Sequence, residues 1–200
     1  MTRPRSQTKE TVVANAMQCF WRQGFEATSV DQLVRTIKIS RHSLYGDFGG
    51  KEDLFVACLD AYRHDVVTPA FAQVEARDAT LDAVARYFEF QISRGEAAGL
   101  PGAGCLMANT LTEVAPHNPG IAAIVGAHND RLRAGFRKAL VNSAAAGSVG
   151  LKMADAAALA TLLVIFANGL WSMSRAVSTA APLRRAVHEQ LRLVEQRIRP

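Results

Sequence analysis

The stretch Ala27-Thr28-Ser29-Val30-Asp31-Gln32-Leu33-Val34-Arg35-Thr36-Ile37-Lys38-Ile39-Ser40-Arg41-His42-Ser43-Leu44-Tyr45 holds two helix starts close together. Ser29 followed three residues later by Gln32 has the form of a capping box, in which the hydroxyl accepts from the Gln32 amide and the Gln32 side chain reaches back. Val30, Leu33, Val34 and Ile37 then share one face of a helix of about two turns. Ser40 caps a second helix, on which Leu44 and Phe48 lie one turn apart. Two short capped helices joined by the tight turn Lys38-Ile39 make a helix-turn-helix. Ile39, apolar inside the turn, is expected to pin both helices to the one before them. The second helix then offers Arg41, His42, Ser43 and Tyr45 outward, side chains of the kinds that bond phosphates and base edges in a major groove.

Beyond this motif almost every segment has helical spacing and none has strand alternation, so the fold class is all-α. A first helix is expected over residues 6–23, with Val12, Val13, Ala16, Met17 and Phe20 on one face and Gly24 closing it in a left-handed cap. A longer helix is expected over 51–68, ended or kinked by Pro69. Further helices are expected at 80–97, from 105 to just before Pro116, at 119–146 (closed by Gly147 and Gly150), at 153–178 and at 182–198. Residues 1–50 read as a helix-turn-helix DNA-binding domain, and 51–200 as a second, helical domain.

The run from Gly24-Phe25-Glu26-Ala27-Thr28-Ser29-Val30 through Leu44-Tyr45, Phe48 and Lys51-Glu52-Asp53-Leu54 resembles the N-terminal domain of the TetR/AcrR family of transcriptional regulators. The resemblance covers about residues 8–55. It implies that Thr28 and Ser29 contact backbone phosphate, that Arg41, His42 and Ser43 face bases, and that Tyr45 and Lys51 hold further phosphates. A helix N-terminus beside an ammonium suits the Lys51 role on physical grounds too. Arg3, Arg5 and Lys9 are candidates for an arm reaching phosphate or minor groove. The chain departs from the family's common pattern at Lys38, where many members have Gly, at Asp47, where a ring is frequent, and at Gly49-Gly50, which replaces a polar cap.

The last two helices carry more apolar surface than one monomer needs. Leu159, Leu162, Leu163, Ile165, Phe166, Leu170, Trp171 and Met173 spread around one, and Leu183, Val187, Leu191, Val194 and Ile198 stripe the other. The resemblance implies a homodimer through these two helices, and two recognition helices about 34–36 Å apart are what a near-palindromic operator requires. An effector cavity is expected between the fourth helix and the penultimate one, lined by Phe88, Met107, Asn109, His128, Phe136, Phe166, Asn168 and Trp171, for a small hydrophobic effector. The alternative is a thiol sensor at Cys105, which follows a Gly-rich loop and opens a helix whose dipole would lower the thiol pKa.

Composition agrees and excludes little more. The chain has 200 residues, 49% of them hydrophobic, and a formal net charge of +5, a mild excess that favours polyanions. Three scattered cysteines give no disulfide framework or metal spacing, so a reducing cytoplasm is expected. At the polar start no secretory signal is expected. The apolar run 153–173 is interrupted by Asp155, Thr161 and Asn168, and is expected to be a helix buried on nearly all sides rather than a membrane span. No enzymatic role, cofactor or metal is expected. Residues 99–104 are glycine-rich, but they follow no strand and lack the lysine of a phosphate loop. The five histidines show no metal-ligand spacing.

Overall fold

In the computed structural model, which describes residues 8–147 and 151–198, every regular element is helical. Thr8 takes extended backbone and its hydroxyl accepts from the Thr11 N–H, so α1 (Lys9–Gln23) starts at Lys9 rather than at residue 6. Its buried face is Val12, Ala16, Met17, Cys19 and Phe20. Gly24 closes it with positive φ, as expected, but with an extended ψ of 166° rather than a left-handed one.

The helix-turn-helix is α2 (Val30–Ile37) followed by α3 (Arg41–Phe48). At eight residues each, these helices are too short to persist alone, so their stability comes from packing. Leu33, Ile37 and Leu44 are fully enclosed against Phe20 and Phe55, each such burial being worth roughly 1.5–3 kcal/mol. Gly49 and Gly50, at φ 87° and 150°, turn the chain from α3 into α4 (Lys51–Tyr62), a path that side chains rarely tolerate.

Pro69 does not end the helix that follows. Its missing N–H would leave an α-helical carbonyl unserved, and the chain widens one turn earlier into a π turn, Arg63–Val67. There the Thr68 N–H and hydroxyl both donate to the Arg63 carbonyl. The helix then continues as α5 (Thr68–Glu75), an element the spacing did not predict. Beyond it come α6 (Leu81–Ala97), α7 (Leu106–Glu113), a 3-10 turn (Ala115–His117), the 28-residue α8 (Pro119–Ala146), α9 (Met153–Met173) and α10 (Ala181–Ile198). The expected stop at Gly150 lies outside the described residues. α9 ends five residues sooner than expected, because Ser174 turns the chain and donates its hydroxyl to the Trp171 carbonyl.

Two apolar cores result. One runs from α1 through α4 and the π turn, and takes in Leu106, Met107, Val114, Ile121 and Val125 from α7 and α8. The other holds Phe71, Tyr87, Phe88, Phe136, Leu163 and Trp171, with α10 laid across it. Packing therefore does not break at residue 50: α7 is shared between the two halves of the chain. α9 is not buried nearly all round either. It lies along α8 with Ala156, Ala160, Leu163, Ala167 and Leu170 inward. The stripe Ala158, Leu162, Ile165, Gly169 and Met173 is left open, with Leu162 52% and Ile165 62% exposed. By length and composition alone α9 is apolar enough to cross a membrane.

Candidate nucleic-acid interface and effector cleft

Both helix caps of the motif form. Ser29 Oγ accepts from the Gln32 N–H at 3.2 Å, and Ser40 Oγ from the Ser43 N–H at 2.9 Å. The capping box is only half made, since the Gln32 side chain donates to Gln23 Oε1 on α1 at 2.8 Å instead of reaching back. Lys38 sits in left-handed geometry (φ 56°, ψ 46°), where many relatives would use glycine; a side chain there costs on the order of 1 kcal/mol. The turn is secured by the Lys38 and Ile39 N–H groups, both donating to the Val34 carbonyl. Ile39 is half-buried against the first core, in the pinning role expected of it.

On the outer side, Arg41 and His42 are exposed, Ser43 is half-buried, and Tyr45 is 55% exposed. Arg41 is not free: its guanidinium is paired with Asp31 of α2, Nε lying 3.0 Å from Oδ1. Lys51 opens α4 half-buried, with its ammonium 4.1 Å from the centre of the Phe25 ring, which fixes where that charge can point. Thr28 departs from its expected role. Its side chain is 0% exposed and its hydroxyl donates to the Gly24 carbonyl at 2.6 Å, so it shapes the entry to α2 and cannot offer that hydroxyl to a phosphate. Lys9 is no arm residue but the first residue of α1, donating to the Asp47 carbonyl of α3 at 3.2 Å. Arg3 and Arg5 lie outside the described residues. Asp47 is exposed.

A cleft of about 580 Å³ opens between α1, the α4 end and π turn, α6, residues 98–105, and the facing ends of α9 and α10. Trp21 of α1 forms one wall, edge-on to Tyr62 at 4.9 Å, with its indole N–H donated to the Gly104 carbonyl at 2.9 Å. Ile92, Leu100, Trp171 and Leu183 complete the apolar surface. This is not the cavity expected from the sequence, and of the eight predicted lining residues Trp171 alone borders the cleft. Phe88 and Phe136 fill the interior instead, stacked at 6.1 Å, and the half-buried Phe166 packs T-shaped against Phe88 at 5.6 Å. Met107 belongs to the first core. Asn168 Nδ2 donates to Asn129 Oδ1 and the Val164 carbonyl. Asn109 braces the cleft from behind, donating to the Ala103 carbonyl at 2.9 Å. His128 is buried on α8, where desolvation and the nearby Arg131 charge push its pKa down to about 4. Helical spacing names the apolar face; it does not say whether opposing rings meet or leave a gap.

Cys105 borders the cleft, but its thiol is not activated. Desolvation pushes its pKa up, outweighing the Tyr62 hydroxyl and the Ala108 and Met107 N–H groups that favour the thiolate. The expected lowering by the α7 dipole is thus overridden. Two further contacts tie this region to the helix-turn-helix. Glu113 of α7 accepts from the Glu26 N–H at 2.9 Å, in space that a side chain at Gly24 would occupy, and Asn118 donates to Glu52 at 2.8 Å.

Known proteins share this layout. Residues 12–58 match the model of bacterial regulatory proteins of the tetR family, and residues 80–189 match that of the tetracyclin repressor-like C-terminal domain. The chain is 33% identical over 121 residues to the HTH-type transcriptional repressor ComR of Escherichia coli K12, a match covering 60% of this chain and 57% of that protein. It is 26% identical over 152 residues to the HTH-type transcriptional regulator YezE of Bacillus subtilis 168, covering 76% and 78%. A cysteine-substituted CifR, a TetR family regulator solved with 26-bp double-strand operator DNA, superposes with a TM-score of 0.80 at 25% identity, covering 95% of this chain and 98% of CifR. A TetR regulator from Chloroflexus aurantiacus gives 0.79, also at 25% identity, covering 94% and 93%. With both of its parts matched, and the motif's caps and turn formed, the chain belongs to the TetR family of DNA-binding transcriptional regulators.

Proposed function

We propose that this regulator is a homodimeric repressor, released from a near-palindromic operator when a small, largely apolar effector enters the cleft beside Trp21. The observation that carries this reading is that α1 serves two surfaces. Its Gln18, Trp21 and Arg22 border the cleft, while its buried face is the bed on which α2 rests. An occupant of the cleft therefore presses on the helix that sets the position of the DNA-reading pair. DNA reading falls to residues 1–50, and effector binding and dimerisation to the rest, with α7 joining them. Arg41, His42 and Ser43 read base edges. Tyr45, Lys51 and the N-terminus of α2 at Ser29 hold phosphates, and Thr28 keeps that N-terminus in place. Because the partner is chromosomal DNA, the working compartment is the cytoplasm.

Effector and operator compete by shifting a shared equilibrium, so each must weaken the other by the same factor. The test is a mobility shift against operator obtained from the DNA upstream of the coding region, or by selection from random DNA, at two salt concentrations. Affinity should fall steeply with salt. Lys51→Ala should weaken all sequences alike and lower the salt slope by about one, whereas Arg41→Ala should flatten sequence preference. Equal loss on every sequence from Arg41→Ala overturns its base-reading role. Failure to select any sequence overturns operator recognition itself.

A further inference from the structure

We infer that the cleft takes an amphipathic anion: an aromatic or alkyl body ending in a carboxylate or a group of like charge. The inference rests on the cleft being the effector site and adds the chemistry of its occupant. The inner surface is apolar and aromatic, with Trp21, Tyr62 and Trp171 turned toward the same space. Two helices then present the same polar pair at the rim. α1 offers Gln18 and Arg22 one turn apart, and α6 offers Gln91 and Arg94 one turn apart. Each rim thus carries a guanidinium and an amide donor, and no aspartate or glutamate is among the lining residues.

Two acids on neighbouring elements are engaged elsewhere. Glu96, two residues beyond Arg94, is bonded to Arg184 at 2.9 Å, and Glu113 accepts from the Glu26 N–H. The hollow between α6 and α10 shows the opposite arrangement, its Arg184 matched by Glu89 and Glu96. A cleft of about 580 Å³ with an apolar floor and two guanidiniums at its mouth selects a ligand with the reverse distribution, and guanidinium suits a planar carboxylate by its paired N–H groups. An anion shared by Arg22 and Arg94 would tie α1 to α6, and so couple the cleft to the helix on which α2 rests.

Both tryptophans of the chain, Trp21 and Trp171, border this cleft, so intrinsic fluorescence of the full-length protein reports on it directly. Phenylpropionate and phenylpropanol are matched probes that differ in charge. The expected result is saturable quenching by both, with the carboxylate bound at least about tenfold more tightly and losing that advantage as salt rises. Arg22→Gln and Arg94→Gln should each weaken the carboxylate severalfold and leave the alcohol unchanged, circular dichroism reporting the fold of each variant. Equal or tighter binding of the alcohol, or a carboxylate preference that survives the double substitution, overturns the anion while leaving the cleft as the effector site. Absence of quenching by either probe overturns both.

Discussion

His128 carries a buried side-chain atom, Nδ1, that has no hydrogen-bond partner among the described residues. Its cost is electrostatic as well as local. Desolvation, helped by the Arg131 charge, lowers the pKa from 6.5 to about 4, so the folded chain refuses a proton that the unfolded chain accepts. Folding therefore loses stability as pH falls from the unfolded value toward the folded one. The loss should be about 2 kcal/mol between roughly pH 7 and pH 5. Denaturant titrations at the two pH values check this, and His128→Phe should remove most of the difference; an unchanged difference places the titration elsewhere. At the same scale, Arg41 already has a partner on the motif itself. It reaches outward as expected, yet in free protein it is held by Asp31, an exposed pair of the kind that contributes little to stability.

At the scale of elements, the fit of α8 against α5 is set by a missing side chain. A Cβ built on Gly135 would lie 2.7 and 2.8 Å from ring atoms of Phe71. That ring has no room to retreat, being fully buried and edge-on to Tyr87 at 5.1 Å and Phe136 at 5.4 Å. Gly135→Ala would gain up to about 1 kcal/mol of helix propensity, but overpacking costs typically 1–3 kcal/mol, and the net is expected to be destabilising. A lowered thermal midpoint checks it; a raised one means that Phe71 can move. The π turn before Pro69 belongs to the same scale. Two Thr68 donors on the Arg63 carbonyl let one continuous rod absorb a proline that sequence spacing reads as a stop or a kink.

In the molecule as a whole, α9 keeps an uncovered apolar face. Its stripe of Ala158, Leu162, Ile165, Gly169 and Met173 is helically spaced and apolar, and a second copy of the same face would bury it symmetrically. Ile165→Glu should therefore give a folded monomer by sedimentation, with operator affinity lost because one recognition helix cannot hold two half-sites. A persisting dimer would move the interface elsewhere.

What is settled within a few residues along the chain was legible in the sequence. Ser29 and Ser40 announce their helices because a hydroxyl meets an N–H three residues on, and Ile39 announces the turn because an apolar residue there must find a core. What depends on faces meeting from afar was left to long-range packing. The cleft draws its walls from residues near 20, 62, 95, 102 and 175, a gathering that no local pattern encodes. Phe88 and Phe136 became packing rather than pocket because their partners closed on them. Thr28 turned inward because Gly24 offered a carbonyl, and the Cys105 pKa is raised because desolvation outweighs the hydrogen bonds that favour its thiolate. Local hydrogen bonding fixes where helices begin. Long-range packing fixes where space, solvent and charge remain between them, and the candidate effector site is made of what remains.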